Sequence, residues 1–212
     1  MKRVLPLFFA LCIAMLAAFS VSAQDDRNTV EFFGGYSYLN TDSGLDDIDP
    51  DLDSRIGSHG FNASITGNLS RYVGIKGDFS LHNKSERETF GTDTAEIGFR
   101  TTQFLGGVQF KDNNKDANRF KPFAHVLAGI ANQRLNATIT SGGTTDSDSI
   151  SANNFAMAFG AGLDVRASKH VDIRVFQFDY NPIFFRDQDT AFGTVEGRTQ
   201  NNFRISVGIV IH

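Results

Sequence analysis

The stretch from Asn202 to His212 constrains the fold more than any other. Phe203, Ile205, Val207, Ile209 and Ile211 take every second place, with Arg204, Ser206, Gly208 and Val210 between them. Successive strand side chains point to opposite faces, so this pattern specifies a strand with one apolar and one mixed face. A strand that closes the sequence needs its row of backbone N–H and C=O groups paired. The expectation is that the first strand supplies that pairing, that the two close a barrel, and that the apolar face looks outward.

The 212 residues suggest a single domain, with length enough for eight strands. Lys2 and Arg3 precede an apolar run from Val4 to Phe19, and Val21-Ser22-Ala23 supplies small residues for cleavage. The run falls short of the roughly 20 apolar residues of a spanning helix, so residues 1–23 are expected to be a removed signal peptide and 24–212 the barrel domain. Cys12, the sole cysteine, lies in that leader. The mature chain then has no thiol for disulfides or for the common zinc sites. Losing Lys2 and Arg3 moves the formal net charge from −4 to −6. Nucleic acid is not an expected partner.

Seven further strands are expected ahead of the last. Thr29–Leu39 is β-prone, with Val30, Phe32, Tyr36 and Tyr38 assigned outward. Gly60–Leu69 alternates Phe61, Ala63 and Ile65 with Asn62, Ser64 and Thr66, and Val73–His82 alternates Val73, Ile75, Phe79 and Leu81 with Lys76, Asp78 and Ser80. Gly98–Lys111, Lys121–Gln133 and a strand around Phe155–Val165 follow. In the stretch from Val171, Phe176, Phe178 and Tyr180 fall on the polar face, which predicts a β-bulge near Val175 and Phe176 that returns Gln177 and Asp179 to the inside. Pro182 argues against regular strand beyond it. Polar loops are expected at 40–57, 83–95, about 135–153 and about 181–200, with tight turns at Ser70-Arg71-Tyr72 and Ala167–His170 and a polar, turn-like stretch at Asp112–Arg119. Long and short connections alternate, as in an up-and-down antiparallel transmembrane barrel with turns in the periplasm and loops outside.

Alternation alone does not say which face is inside, because soluble lipocalin-like carriers alternate as well. Volume separates the two. Bulky Phe, Ile, Leu and Val dominate the apolar faces, whereas Ala156, Ala158, Gly160, Gly162, Ser206 and Gly208 sit on the polar ones. An eight-stranded barrel has room for only a modest interior, so small and charged residues belong inside. The inward charges balance as Glu31, Asp78, Asp164 and Asp172 against Lys76, Arg166, Arg174 and Arg204. A Lys or Arg turned to lipid near the midplane costs about 2–4 kcal/mol, which disfavours a one-residue slip.

Several stretches carry a family likeness: Gly34-Gly35-Tyr36-Ser37-Tyr38, Asn68-Leu69-Ser70-Arg71-Tyr72-Val73-Gly74, Lys121-Pro122-Phe123 and the terminal alternating strand. With them the chain resembles small bacterial outer-membrane β-barrel proteins, the class of the outer membrane protein A transmembrane domain. The resemblance implies an outer-membrane location, contact with outer-membrane lipid and handling by the barrel-insertion machinery. The sequence departs from the class at Ile211-His212, where such barrels finish on an aromatic residue.

Chemistry is sparse. Asp47, Asp49, Asp51 and Asp53 are a weak calcium candidate that lacks the Gly and distal Glu of an EF-hand loop, and a solvated acidic loop is the expected reading. His125 is tested as a general base, but Leu127 stands where outer-membrane lipid A deacylases carry Ser, and no Gly-x-Ser-x-Gly elbow occurs. Phosphate-binding glycine loops are absent as well. Phe184-Phe185 is expected in an outer aromatic belt, with an exposed binding tip as the alternative. The reading is a non-enzymatic outer-membrane barrel without cofactor, its lumen filled by side chains, meeting an unnamed external partner through four long loops. A soluble periplasmic carrier and a lipid-modifying enzyme are the competing readings.

Overall fold

A computed structural model of the chain describes residues 28–42, 55–91, 93–114, 118–186, 188–190, 193–195 and 197–212. The expected signal peptide and the carboxylates of Asp47, Asp49, Asp51 and Asp53 lie outside the described residues. Within them every regular element is a strand: β1 Val30–Asp42, β2 Arg55–Asn68, β3 Val73–Phe90, β4 Asp93–Lys111 and β5 Phe120–Ser141, then β6 Thr144–Arg166, β7 Val171–Phe184, β8 Gln188–Thr190, β9 Gly193–Val195 and β10 Thr199–Ile211. Eight of these close a barrel in the order β1-β10-β7-β6-β5-β4-β3-β2, while β8 and β9 form a separate hairpin between β7 and β10. The closing pair is antiparallel and runs from Asn40↔Phe203 to Phe32↔Ile211. The terminal strand therefore has the first strand as its partner, and closure satisfies backbone groups that an open sheet in lipid would leave bare.

Facing follows the alternation. Phe32, Ile75, Phe104, Ile130, Ile173 and Ile209 are exposed on the wall, whereas Lys76, Asp78, Asp164, Arg174 and Arg204 are buried in the lumen. An apolar exterior around a polar interior is the reverse of a carrier that encloses an apolar ligand, so the lipocalin-like arrangement is excluded. The two tight turns share one geometry. Leu69 and Ser70 donate their N–H groups to the Val73 carbonyl, and Ala167 and Ser168 donate theirs to that of Val171.

Two of the expected loops are strand instead. β3 and β4 pair as far as Phe90↔Asp93, and β5 and β6 as far as Ser141↔Thr144. They reverse at Gly91 (φ 66°) and at Gly142-Gly143 (φ 58° and 80°), positions where only a residue without Cβ turns at little cost. Of the four long connections, two are thus paired ribbons that continue the barrel wall.

The bulge in β7 is present. Leu163↔Phe176 and Asp164↔Arg174 leave Val175 unmatched on β6, and the β10 register shifts at the same place. Val175 and Phe176 both face outward, and Gln177 and Asp179 turn into the lumen. Without the extra residue, the alternate aromatics Phe176, Phe178 and Tyr180 would enter a charged interior. Beyond it, β7 continues through Pro182 to Phe184, past the expected end. Pro182 has no N–H to offer Met157 opposite it, and the Asn181 Nδ2 donates to the Met157 carbonyl at 2.6 Å in its place.

Candidate functional site

The lumen holds the densest chemistry of the described residues. Each barrel strand sends period-two side chains inward, and a charge placed there needs partners because desolvation costs several kcal/mol per ion. The partners form one continuous run. Lys111 Nζ donates to Glu31 Oε2 at 2.6 Å and to Asp164 Oδ2 at 3.1 Å. Arg174 forks onto the same Asp164 through Nε at 2.8 Å and Nη2 at 3.1 Å, and its Nη1 reaches Gln177 Oε1 at 2.7 Å. Gln177 Nε2 passes to Asp179 Oδ2 at 2.8 Å. Arg204 then bridges Asp179 and Asp78, each at 2.8 Å, and Asn62 Nδ2 donates to Asp78 Oδ2 at 3.0 Å. With His125 Nε2 3.0 Å from Asp179 Oδ1, all eight barrel strands contribute to one network.

Two aromatic rings complete it. The Arg174 guanidinium lies 4.2 Å from the Phe33 ring centre and 4.1 Å from that of Phe123, a cation held between two π faces. Toward the long connections the character changes. Ser37 Oγ meets His82 Nε2 at 2.9 Å and Ser206 Oγ at 3.0 Å, and Gln103 Nε2 donates to Asn181 Oδ1 at 2.6 Å. Leu105, Leu127, Ala131, Ala156, Ala158 and Ile183 form a buried apolar cluster, with Phe185 packed against it. Phe185 therefore belongs neither to an outer belt nor to an exposed tip, because it follows Ile183 in phase and points inward. Phe184 is the outward member of the pair, its ring 5.7 Å from that of Phe155.

Of the charges singled out in the sequence, Glu31, Lys76, Asp78, Asp164, Asp172, Arg174 and Arg204 are buried in the lumen. Asp172 stands apart from the main run. It accepts from Lys121 Nζ at 2.8 Å and lies 3.8 Å from His212 Nδ1. Arg166, opposite Asp172 in the β6–β7 register, is half-buried at the barrel rim. The charge balance read from the sequence leaves out Lys111, Lys121 and Asp179, which are buried in the lumen as well. Lys111 continues the inward phase of Gln103 and Gln109, Lys121 that of Phe123 and His125, and Asp179 comes into phase only through the bulge.

For acid–base work His125 is poorly placed. Among the described residues its polar neighbours are Asp179 and, at 3.4 Å, Lys76 Nζ, with no hydroxyl to activate. Outside the lumen, Arg71 in the first tight turn clamps Asp112 through Nε at 3.1 Å and Nη2 at 3.0 Å. The Arg71 hydrogen bond holds the Asp112 carboxyl below the usual carboxylate range.

The model of the family described as "Outer membrane protein beta-barrel domain" matches residues 10–209. No curated protein sequence matches the chain. Among solved structures, Neisserial surface protein A aligns with TM-score 0.52 at 9% identity, over 87% of this chain and 97% of that one. OprG of Pseudomonas aeruginosa aligns with TM-score 0.49 at 13% identity, over 90% and 98%. Ail of Yersinia pestis, solved with the heparin analogue sucrose octasulfate, aligns with TM-score 0.49 at 15% identity, over 86% and 97%. At these identities the likeness to Neisserial surface protein A is one of fold.

Proposed function

The chain belongs to the outer membrane protein β-barrel domain family and resides in the bacterial outer membrane, and from that premise we propose that it is a non-enzymatic surface protein with a lumen closed to diffusion. The supporting observation is the lumenal network. Four carboxylates, Glu31, Asp78, Asp164 and Asp179, meet Lys111, Arg174 and Arg204 directly, and the aromatic rings of Phe33 and Phe123 flank the central guanidinium. A diffusion pore keeps its lumen wet, which takes about 16 strands. An interior knitted from every strand instead stiffens the wall, and the long connections carry contact with whatever lies outside. Residues 1–23 act as a removed signal peptide in this reading, 24–212 form the barrel, and insertion relies on the barrel-insertion machinery.

Planar-bilayer recording of the purified mature chain tests this proposal against a known porin. Only rare, small conductance events are expected, while steady ohmic conductance overturns the closed lumen. Fractionation with heated and unheated gel mobility tests location, and a soluble protein without a heat-dependent shift overturns the membrane reading.

A further inference from the structure

β3 to β6 continue well past the apolar belt, and their two faces exchange character there. On the convex side Phe104, Ile130 and Phe155 end the belt, and beyond them come Thr102, Asn132 and Asn153, then Arg87, Glu96, Thr138 and Ser147. On the concave side, which is charged lower down, the strands turn apolar. Phe99 pairs with Leu135 and Leu135 with Ile150, Ile97 pairs with Ala137, and Ala95 pairs with Ile139. Ile97, Ile139 and Ile150 are 58%, 59% and 69% exposed, so nothing among the described residues covers this floor.

The floor has charged margins. Across the four strands one row reads Glu86–Ile97–Ala137–Asp148, and the next Glu88–Ala95–Ile139–Asp146. All four carboxylate residues are exposed. Lys84, with its Nζ 2.7 Å from Glu86, offsets part of the charge at the lower end of one margin. Strands lie about 4.8 Å apart, so the two acidic rows stand about 14 Å from each other. That span matches an α-helix of about 10–12 Å diameter laid along the strands.

We propose that this concave face is a docking groove for a cationic amphipathic helix of a partner polypeptide, its apolar stripe on β4 and β5 and its Lys or Arg residues against β3 and β6. An exposed apolar patch rimmed by charge is a recurrent mark of such sites. Acid on both margins selects a basic occupant and disfavours an anionic one. The proposal rests on the reading that the long connections face the cell exterior.

The test uses the mature chain in phosphatidylcholine nanodiscs and three fluorescent helical peptides that share one leucine stripe, with Lys, Gln or Glu on the polar face. Empty nanodiscs set the baseline. Saturable binding of the Lys peptide above that baseline is expected. It should weaken at least tenfold in the combined variant Glu86→Gln, Glu88→Gln, Asp146→Asn, Asp148→Asn, and again in Ile97→Ser, Ile139→Ser. Heat-modified gel mobility verifies that each variant keeps its barrel. Three outcomes overturn the proposal: no binding above empty discs, binding of the Gln or Glu peptide equal to that of the Lys peptide, or affinity unchanged in either variant. Orientation is tested separately by labelling Ser147→Cys on intact cells with a membrane-impermeant maleimide. Absence of label there sinks the outward reading of the long connections, whatever the nanodiscs report.

Discussion

Arg204 of β10 meets Asp78 of β3 across the lumen, Nη1 to Oδ1 at 2.8 Å, although 126 residues separate them and their strands are not neighbours in the barrel. The same guanidinium holds Asp179 through Nε at 2.8 Å. Replacing it by an apolar residue leaves two buried carboxylates without their cation. Arg204→Met is therefore expected to destabilise the barrel by about 3–5 kcal/mol, the usual cost of breaking a buried pair from one side. Adding Asp78→Asn and Asp179→Asn should recover part of that loss. The midpoint of urea unfolding, followed by gel mobility, measures both, and an unchanged midpoint in Arg204→Met contradicts the pairing.

The partners of Arg204 illustrate what the sequence makes legible. Lys76, Asp78 and Arg204 sit in strands of clean alternation, so their inward facing is readable from period two alone. Asp179 is readable only through the bulge at Val175, because an extra residue shifts parity for everything beyond it. The ribbons are hidden for a different reason. Phe99, Ile97, Leu135 and Ile139 keep the alternation of β4 and β5 but on the opposite face from Phe104 and Ile130. A reading that follows one apolar face loses the strand where the wall leaves the apolar belt and water replaces lipid. Which carboxylate meets which cation is set by side-chain reach across the lumen, and pattern does not encode that.

Gly160 is a position where the lumen tolerates no side chain. A Cβ there would collide with the Asp179 carboxylate and come within 2.6 Å of His125 Nε2. Gly160→Ala is expected to force both side chains aside and cost about 1–3 kcal/mol, the range for overpacking. Gly34→Ala is the control, because its Cβ meets nothing within 4 Å. Loss of flexibility in the unfolded chain should leave that variant neutral or more stable by about 0.4–1 kcal/mol. Equal destabilisation of the two would disprove the steric account.

Asn181 and Pro182 should behave as a coupled pair. Asn181 Nδ2 supplies the Met157 carbonyl with a hydrogen bond that Pro182 is unable to give. Asn181→Ala alone is expected to cost about 1–3 kcal/mol, since it strands a carbonyl and also removes the acceptor of Gln103 Nε2. Pro182→Ala restores a backbone N–H opposite Met157, so the double variant should lose less than the sum of the two single effects. A double-mutant cycle on unfolding midpoints measures the coupling, and strict additivity rejects the substitution of side chain for backbone.

Arg71 in the first tight turn and Asp112 just after β4 give the fold a pH dependence of known sign. The Arg71 hydrogen bond lowers the Asp112 carboxyl from its ordinary value of 3.8, so the folded chain binds that proton less readily than the unfolded one. The stabilisation is fully present above the ordinary carboxylate value and disappears as the pH falls through the lowered folded one. Both side chains are partly open to water, so the clamp should anchor the turn locally rather than decide global stability. Carboxyl-carbon NMR of the detergent-solubilised barrel should find Asp112 titrating below 3.8, and Arg71→Ala should move its midpoint upward. A midpoint that stays where it was in Arg71→Ala would assign the shift to the backbone N–H of Asn114, 3.2 Å from Asp112 Oδ1, and not to the guanidinium.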